Sequence, residues 1–214
     1  MGTRGLTMVI RKGKPVVAQY GQWDHYPEGQ GITALTFCRN LVAVPTQLKD
    51  FLKKLDTKVR FATNADVTAR QDYLNKLGCN DGLISMEQSK KYDEEFKFDS
   101  RDWGAKILAG IAICEDNKIV LQDSSTFIMD SLFCEYAYVI DLDKNTFEVY
   151  KGFNTKPVPA EERFADMKIE EVEKGREQYY PCTHLITYSL DALPTDEVFV
   201  TETKKLLKED ETEA

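Results

Sequence analysis

The chain has 214 residues, of which 42% are hydrophobic, 30% charged and 11% aromatic, and it carries a net charge of −8. That composition is ordinary for a globular protein, and the length suffices to bury a sizeable core. Lysines fall in isolated pairs among acids (Lys53 with Lys54, Lys90 with Lys91, Lys204 with Lys205), which argues against a nucleic-acid partner, and no apolar run approaches the ~20 residues of a membrane span.

Residues 3–12 are rich in branched apolar side chains and end at Lys12-Gly13-Lys14, and a second apolar run extends from Val16 to Trp23. Together they read as a β-hairpin. The segment from Asp24 to Gly31 contains Pro27, Gly29 and Gly31 and is a shaped loop, followed by a helix expected from about Ile32 to Leu41. Pro45 and Thr46 open a second helix, whose Leu48, Phe51, Leu52 and Leu55 share one face. Val59 to Ala62 reads as a short strand, and Asn64 as the cap of a helix that reaches Leu77 and stops at Gly78. Ser85 with Gln88 has the form of a capping box for a helix through Phe96. Ser100 is the expected cap of the next helix, with Trp103, Ile107, Leu108 and Ile111 as its buried stripe.

From Ile119 the apolar period moves toward two. Phe133 to Leu142 reads as a strand paired with Phe147 to Lys151 across the turn Asp143-Lys144-Asn145-Thr146. Residues 154–180 are polar, with Pro157 and Pro159, and form a long, partly irregular excursion. His184 to Leu190 is a last strand, Thr195 opens a short helix, and residues 208–214 are an acidic tail expected to fray. Strands, then helices, then strands predict one α+β domain over residues 1–207. Its antiparallel sheet is built from N- and C-terminal hairpins and covered by a central group of helices.

The five cysteines, Cys38, Cys79, Cys114, Cys134 and Cys182, are odd in number and widely spaced. They read as free thiols in a reducing compartment, which places the protein in the cytoplasm, and not as a disulfide framework or a zinc site. No metal and no cofactor is expected.

The densest collection of functional side chains runs from Tyr20 to Gly31. It includes Gln22, Trp23, Asp24, His25, Tyr26, Glu28 and Gln30 at the junction of strand and helix. The first amides of a helix lack partners and attract anions, glycines let a ligand approach the backbone, and Trp23 and Tyr26 offer stacking faces. A tightly packed structural loop is the competing reading. Asp24, His25 and Glu28 are too few and too close together for a metal site. Thr3 could act as an N-terminal nucleophile only after a further cut, because removal of Met1 exposes Gly2. Arg4, on an apolar strand, calls for a carboxylate or a ligand, with Asp24 and Asp141 the first candidates and Glu135 another. Alternation places Glu135 and Asp141 on one face of their strand, where they could line a polar pocket or face solvent. Cys134 as a nucleophile would need a base such as His184.

Three segments carry a resemblance: the opening Met1-Gly2-Thr3-Arg4-Gly5-Leu6, the run Tyr20-Gly21-Gln22-Trp23-Asp24 continuing through Tyr26-Pro27-Glu28-Gly29-Gln30-Gly31, and the later Asp130 to Asp143. They are similar to an uncharacterised family of small bacteriophage-associated proteins, in which a glycine usually stands at the position of His25. The resemblance implies action in the cytoplasm of a bacterial host and carries no activity. Two functions are therefore expected. One is binding, or hydrolysis, of a small polar or anionic molecule by Arg4, Gln22, Trp23, Asp24, Tyr26, Gln30, Glu135 and Asp141. The alternative is a non-enzymatic protein that binds and inhibits a bacterial host protein, for which the acidic surface would seek a basic partner.

Overall fold

The computed structural model describes residues 2–79, 84–167 and 178–213. The N-terminal hairpin is β1 (Gly5–Arg11) and β2 (Lys14–Gly21), turned by Lys12 and Gly13, both at positive φ. A π-helical turn at Pro27–Gly31 leads into α1 (Ile32–Ala43), then α2 (Pro45–Thr57) and the short β3 (Val59–Phe61). Helix α3 (Asn64–Lys76) is capped by Thr63, one residue earlier than expected, in a capping box with Asp66. Ser85 and Gln88 form the expected box at the start of α4 (Met86–Glu95). Ser100 does not cap α5 (Lys106–Ile113): Trp103 lies in a preceding turn closed by the bond from Trp103 N to Ser100 O, and Gly104 at φ 48° redirects the chain into the helix.

After β4 (Ile119–Leu121) and a short 3-10 turn at Ser125–Met129 come β5 (Tyr136–Asp141) and β6 (Thr146–Lys151). Strand β5 starts later than expected because a turn at 131–133 is closed by the bond from Phe133 N to Asp130 O, 3.0 Å long. Strand β7 (Thr183–Ser189) precedes α6 (Asp196–Glu213), which is longer than the expected short helix and runs into the segment expected to fray. The polar excursion is described to Met167 and again from Gln178; the expectation of irregularity between these residues lies outside the described part.

The fold is α+β. Its main sheet has the order β2-β1-β5-β6-β7 and is antiparallel except at its centre, where β1 and β5 run parallel with Gly5 opposite Tyr136 and Ile10 opposite Asp141. That parallel pairing joins the two hairpins; a second, two-stranded parallel sheet pairs β3 with β4. Alternation divides the side chains cleanly. Val9, Val17, Tyr138, Ile140, Phe147 and Val149 face the helices, packing on Leu35, Phe51, Ile107, Leu108 and Phe199. The other face is also buried: Leu6, Met8, Ile10, Ala137, Val139 and Tyr150 pack against Ile128, Phe164 and Cys182. The second cover comes from the 3-10 turn and the segment 152–167, so carboxylates on that face do not meet solvent by default. Among the described residues no helix is long and apolar enough to cross a membrane.

Candidate ligand site at the Arg4 end of the sheet

The parallel join brings Arg4, the segment Gln22–Tyr26 and the segment Phe133–Tyr136 to one end of the sheet, because Gly5 pairs with both Gly21 and Tyr136. Beyond Gly21 the chain folds back over the strands. Asp24 takes a left-handed φ of 58°, which Asp tolerates better than most residues. His25 N then donates to Thr3 O at 3.2 Å, and the Tyr138 hydroxyl donates to His25 O at 2.8 Å. This return drives the His25 ring against Gly5 and Gly21, where it is fully buried and, among the described residues, neither ring nitrogen finds a hydrogen-bond partner. Burial lowers the imidazole from 6.5 to about 4; the Trp23 backbone pulls weakly the other way without forming a good bond to either nitrogen.

The loop's amides are occupied by its own carbonyls. Gln30 N donates to Asp24 O at 2.8 Å, and Gly29 N and Gly31 N donate to Tyr26 O at 3.0 and 3.2 Å. The anion seat expected at this helix start is therefore filled from within. Gly29 serves the same closure, since a Cβ there would lie 2.3 Å from Asp24 O. Gln30 is buried and structural: its Oε1 accepts from Ala105 N at 2.8 Å. Gln22 Oε1 accepts from the Tyr20 hydroxyl at 2.6 Å, and Glu28 pairs with Lys204 at 2.9 Å. With His25 buried and Asp24 and Glu28 exposed, these three do not converge; among the described residues no group of three His, Cys, Asp or Glu side chains is placed to hold a metal ion.

What remains available is aromatic and cationic. Trp23, Tyr26 and Phe133 are 50%, 45% and 41% exposed. Trp23 is braced by a 3.2 Å bond from its Nε1 to Asp102, and Tyr26 leans on Tyr136 with ring centres 6.4 Å apart. The Arg4 guanidinium lies over the Phe133 ring, 4.4 Å from its centre, and only the Arg4 backbone N reaches a carboxylate, Glu135 Oε1 at 3.1 Å. Among the described residues the guanidinium itself has no ion pair and no hydrogen bond. The expected pairing of Arg4 with Asp24 or Asp141 is thus not the one formed. Asp141 sits at the far end of β5, opposite Ile10, and Asp24 is exposed and, among the described residues, without an ion pair.

Asp141 belongs to a second cluster that sequence reasoning missed. Arg163, from the polar excursion, places Nη2 2.6 Å from both Asp141 Oδ2 and Glu148 Oε1, and Nε 3.0 Å from Glu148 Oε2. The remaining lone pairs are also used. Tyr150 and Thr146 hydroxyls donate to Glu148, and the amides of Asp143 and Lys144 donate to Asp141 Oδ1. A cleft of about 320 Å³ opens on the cluster, lined by Glu148, Tyr150 and Arg163 with Lys144, Glu161 and His184, but every carboxylate oxygen of the pair already accepts a hydrogen bond. His184 bonds the Thr187 hydroxyl at 2.7 Å, whereas Cys134 is buried and its thiol is pushed well up by burial and by Cys182, so the two form no nucleophile–base pair.

A third cluster centres on Arg70, 5% exposed, with Nη2 2.5 Å from Asp99. Among the described residues its Nε and Nη1 have no partner, but both atoms are shielded from the adjoining cleft of about 440 Å³, so no ligand reaches them without rearrangement. Arg70 is therefore a structural tie from α3 to the segment after α4.

Comparison with protein families, with curated proteins and with solved structures finds no match to this chain.

Proposed function

We propose that the protein binds a small anionic molecule at the Arg4 end of the sheet, between Trp23, Tyr26 and Phe133. The observation that carries this reading is the Arg4 guanidinium, held over the Phe133 ring with its N–H groups uncommitted among the described residues. A cation–π contact at an exposed site is worth about 0.5–1 kcal/mol. It orients the guanidinium without consuming its donors, leaving a planar fork suited to a carboxylate or phosphate. The neighbouring rings supply faces for an apolar or flat portion of the same molecule. Glu135, held on the Arg4 backbone N at 3.1 Å, adds negative charge to this end of the sheet and would discriminate against ligands that carry a second negative charge toward it. All five cysteines are unpaired, which suits a reducing compartment, and we place the protein in the cytoplasm of a bacterial host, as the motif resemblance implies.

The test is a thermal-shift and calorimetric screen with nucleotides, sugar phosphates and aromatic carboxylates. Arg4→Met should leave the melting temperature of the free protein nearly unchanged and weaken the best ligand by about 1.5–3 kcal/mol, the worth of hydrogen bonds to a charged group. Arg4→Lys should recover only part of the loss, since an ammonium lacks the fork. Failure of every anion to bind the unaltered protein, or full affinity in Arg4→Met, would refute the proposal.

A further inference from the structure

Far from Arg4 in sequence, the end of α5 carries an apolar ridge flanked by two clefts. Ile113, its last residue, is 78% exposed. It lines a cleft of about 670 Å³ with Phe98, Trp103 and Gly110, and it also lines a second cleft of about 480 Å³ with Phe37, Leu41 and Phe51. The ridge is fixed from beneath. Lys54 Nζ, from α2, donates to Ala112 O and Cys114 O at 2.5 and 2.8 Å, satisfying carbonyls that the helix end leaves open. Trp103 is held in the floor of the larger cleft by a 2.7 Å bond from its Nε1 to Lys97 O and by its contact with Phe98, ring centres 5.5 Å apart.

The rim of this face is mainly acidic, although Lys54 lies on the end of α5 and Lys58 Nζ reaches Glu115 O at 3.4 Å. Asp93, Asp102, Glu115 and Asp116 border the larger cleft and Asp50 the smaller. Among the described residues Lys97 is the one cation lining either cleft, and it is already paired with Asp116 at 2.7 Å. Among the described residues Asp50, Asp93, Asp102 and Glu115 have no ion pair. An isolated exposed isoleucine needs no explanation; one standing between two aromatic-lined clefts with a mainly acidic border has the form of an interface core with a polar rim.

We infer that the face around Ile113 docks a basic amphipathic helix of a partner protein. Its apolar side chains would enter the two clefts on either side of Ile113, and its lysines or arginines would meet the acidic rim. The charge argument selects this occupant. A second copy of the chain would oppose acid to acid, and an acidic partner would be repelled for the same reason. Two clefts sharing one wall also ask for at least two anchors on one ligand, which the i, i+3, i+4 spacing of a helix provides.

The probe is a synthetic helical peptide of leucine and lysine with the leucines on one face. The controls are the same composition scrambled to destroy that face, and a leucine–glutamate helix of equal length. Binding is measured by fluorescence anisotropy at two salt concentrations. The unaltered protein should bind the leucine–lysine helix at least tenfold more tightly than either control. Ile113→Lys should lower that affinity at least tenfold without changing the melting temperature, because the residue is largely exposed. The double change Asp93→Asn with Glu115→Gln should weaken binding and flatten its salt dependence. Equal binding of the scrambled or acidic peptide, no binding at all, or unchanged affinity in Ile113→Lys would each overturn the inference. So would a concentration-dependent dimer, seen by sedimentation, that Ile113→Lys dissolves, since the face would then belong to a second copy.

Discussion

Arg163→Met is expected to destabilise the protein by about 3–5 kcal/mol, the cost of stranding buried charge. Asp141 and Glu148 are 1% and 7% exposed, and one guanidinium joins them across the second face of the sheet. Without it two carboxylates confront each other beside Val139, Tyr150 and Phe164. Burial by itself raises the Glu148 carboxyl, but the hydrogen bonds from Arg163 and Tyr150 and the arginine's charge outweigh it and hold the group below its ordinary value. A depressed carboxylate contributes stability above the unfolded pKa of about 4.3 and loses it as pH falls through the lower folded value. In Arg163→Met only the Tyr150 and Thr146 hydroxyls still oppose burial, the largest effect on Glu148, and the sign should reverse, so the variant is relieved by acid while the wild type is weakened. The difference in urea midpoint between the two should therefore be large at pH 7 and shrink as the pH is taken below about 4. Adding Glu148→Gln to the variant should recover part of the loss at pH 7. A loss under about 1 kcal/mol there, or a gap that does not close in acid, would show that water or rearrangement compensates the pair.

The same cluster shows where reading the sequence stops. Asp141 and Glu148 lie on the strands expected for them, and each strand's alternation was legible because period and turn residues are local properties. Their partner was not. Arg163 lies in a polar excursion whose composition gives no period, and only the register between β5 and β6 brings it within reach of both acids. The helices were legible for the same local reason, and the errors at Asn64 and Ser100 fall at caps, where neighbouring polar residues compete for one role. The parallel pairing of β1 with β5 left no local trace, since it joins residues more than a hundred positions apart. It also decides the candidate site, gathering Arg4, Trp23, Tyr26 and Glu135 at one end while sending Asp141 to the other. The density of glycine and amide in the 20–31 loop was visible, but its use was not. A free helix start and one closed by its own carbonyls have the same composition, and here Asp24 O and Tyr26 O take the amides.

Gly21→Ala is expected to cost about 3 kcal/mol, at the upper end of the range for overpacking a core. The added methyl would lie 1.9 Å from His25 Cε1 and 2.9 Å from each ring nitrogen, and those three atoms are its nearest neighbours. The ring has nowhere to withdraw, because Gly5 lies against its Cδ2 and the Tyr138 ring is stacked 6.4 Å away. The cost should therefore belong to His25 and disappear with it. His25→Ala alone opens a cavity but also removes two buried nitrogens without partners, opposing effects that leave a net loss of about 2 kcal/mol. In that background Gly21→Ala should be neutral or stabilising, giving a coupling of about 3 kcal/mol in the double-mutant cycle. Gly5→Ala is the control: its methyl would also lie 2.2 Å from Tyr136 O, a backbone atom of the paired strand, so His25→Ala should not rescue it. A second readout comes from acid. The folded imidazole titrates at about 4 against 6.5 unperturbed, so between those values the unfolded chain binds a proton that the folded one refuses. Stability from this group is complete above pH 6.5 and falls by roughly 3 kcal/mol toward pH 4, and that slope should be missing from His25→Ala. If Gly21→Ala costs the same with and without the imidazole, and the acid slope survives its removal, the ring does not occupy the space between the two glycines.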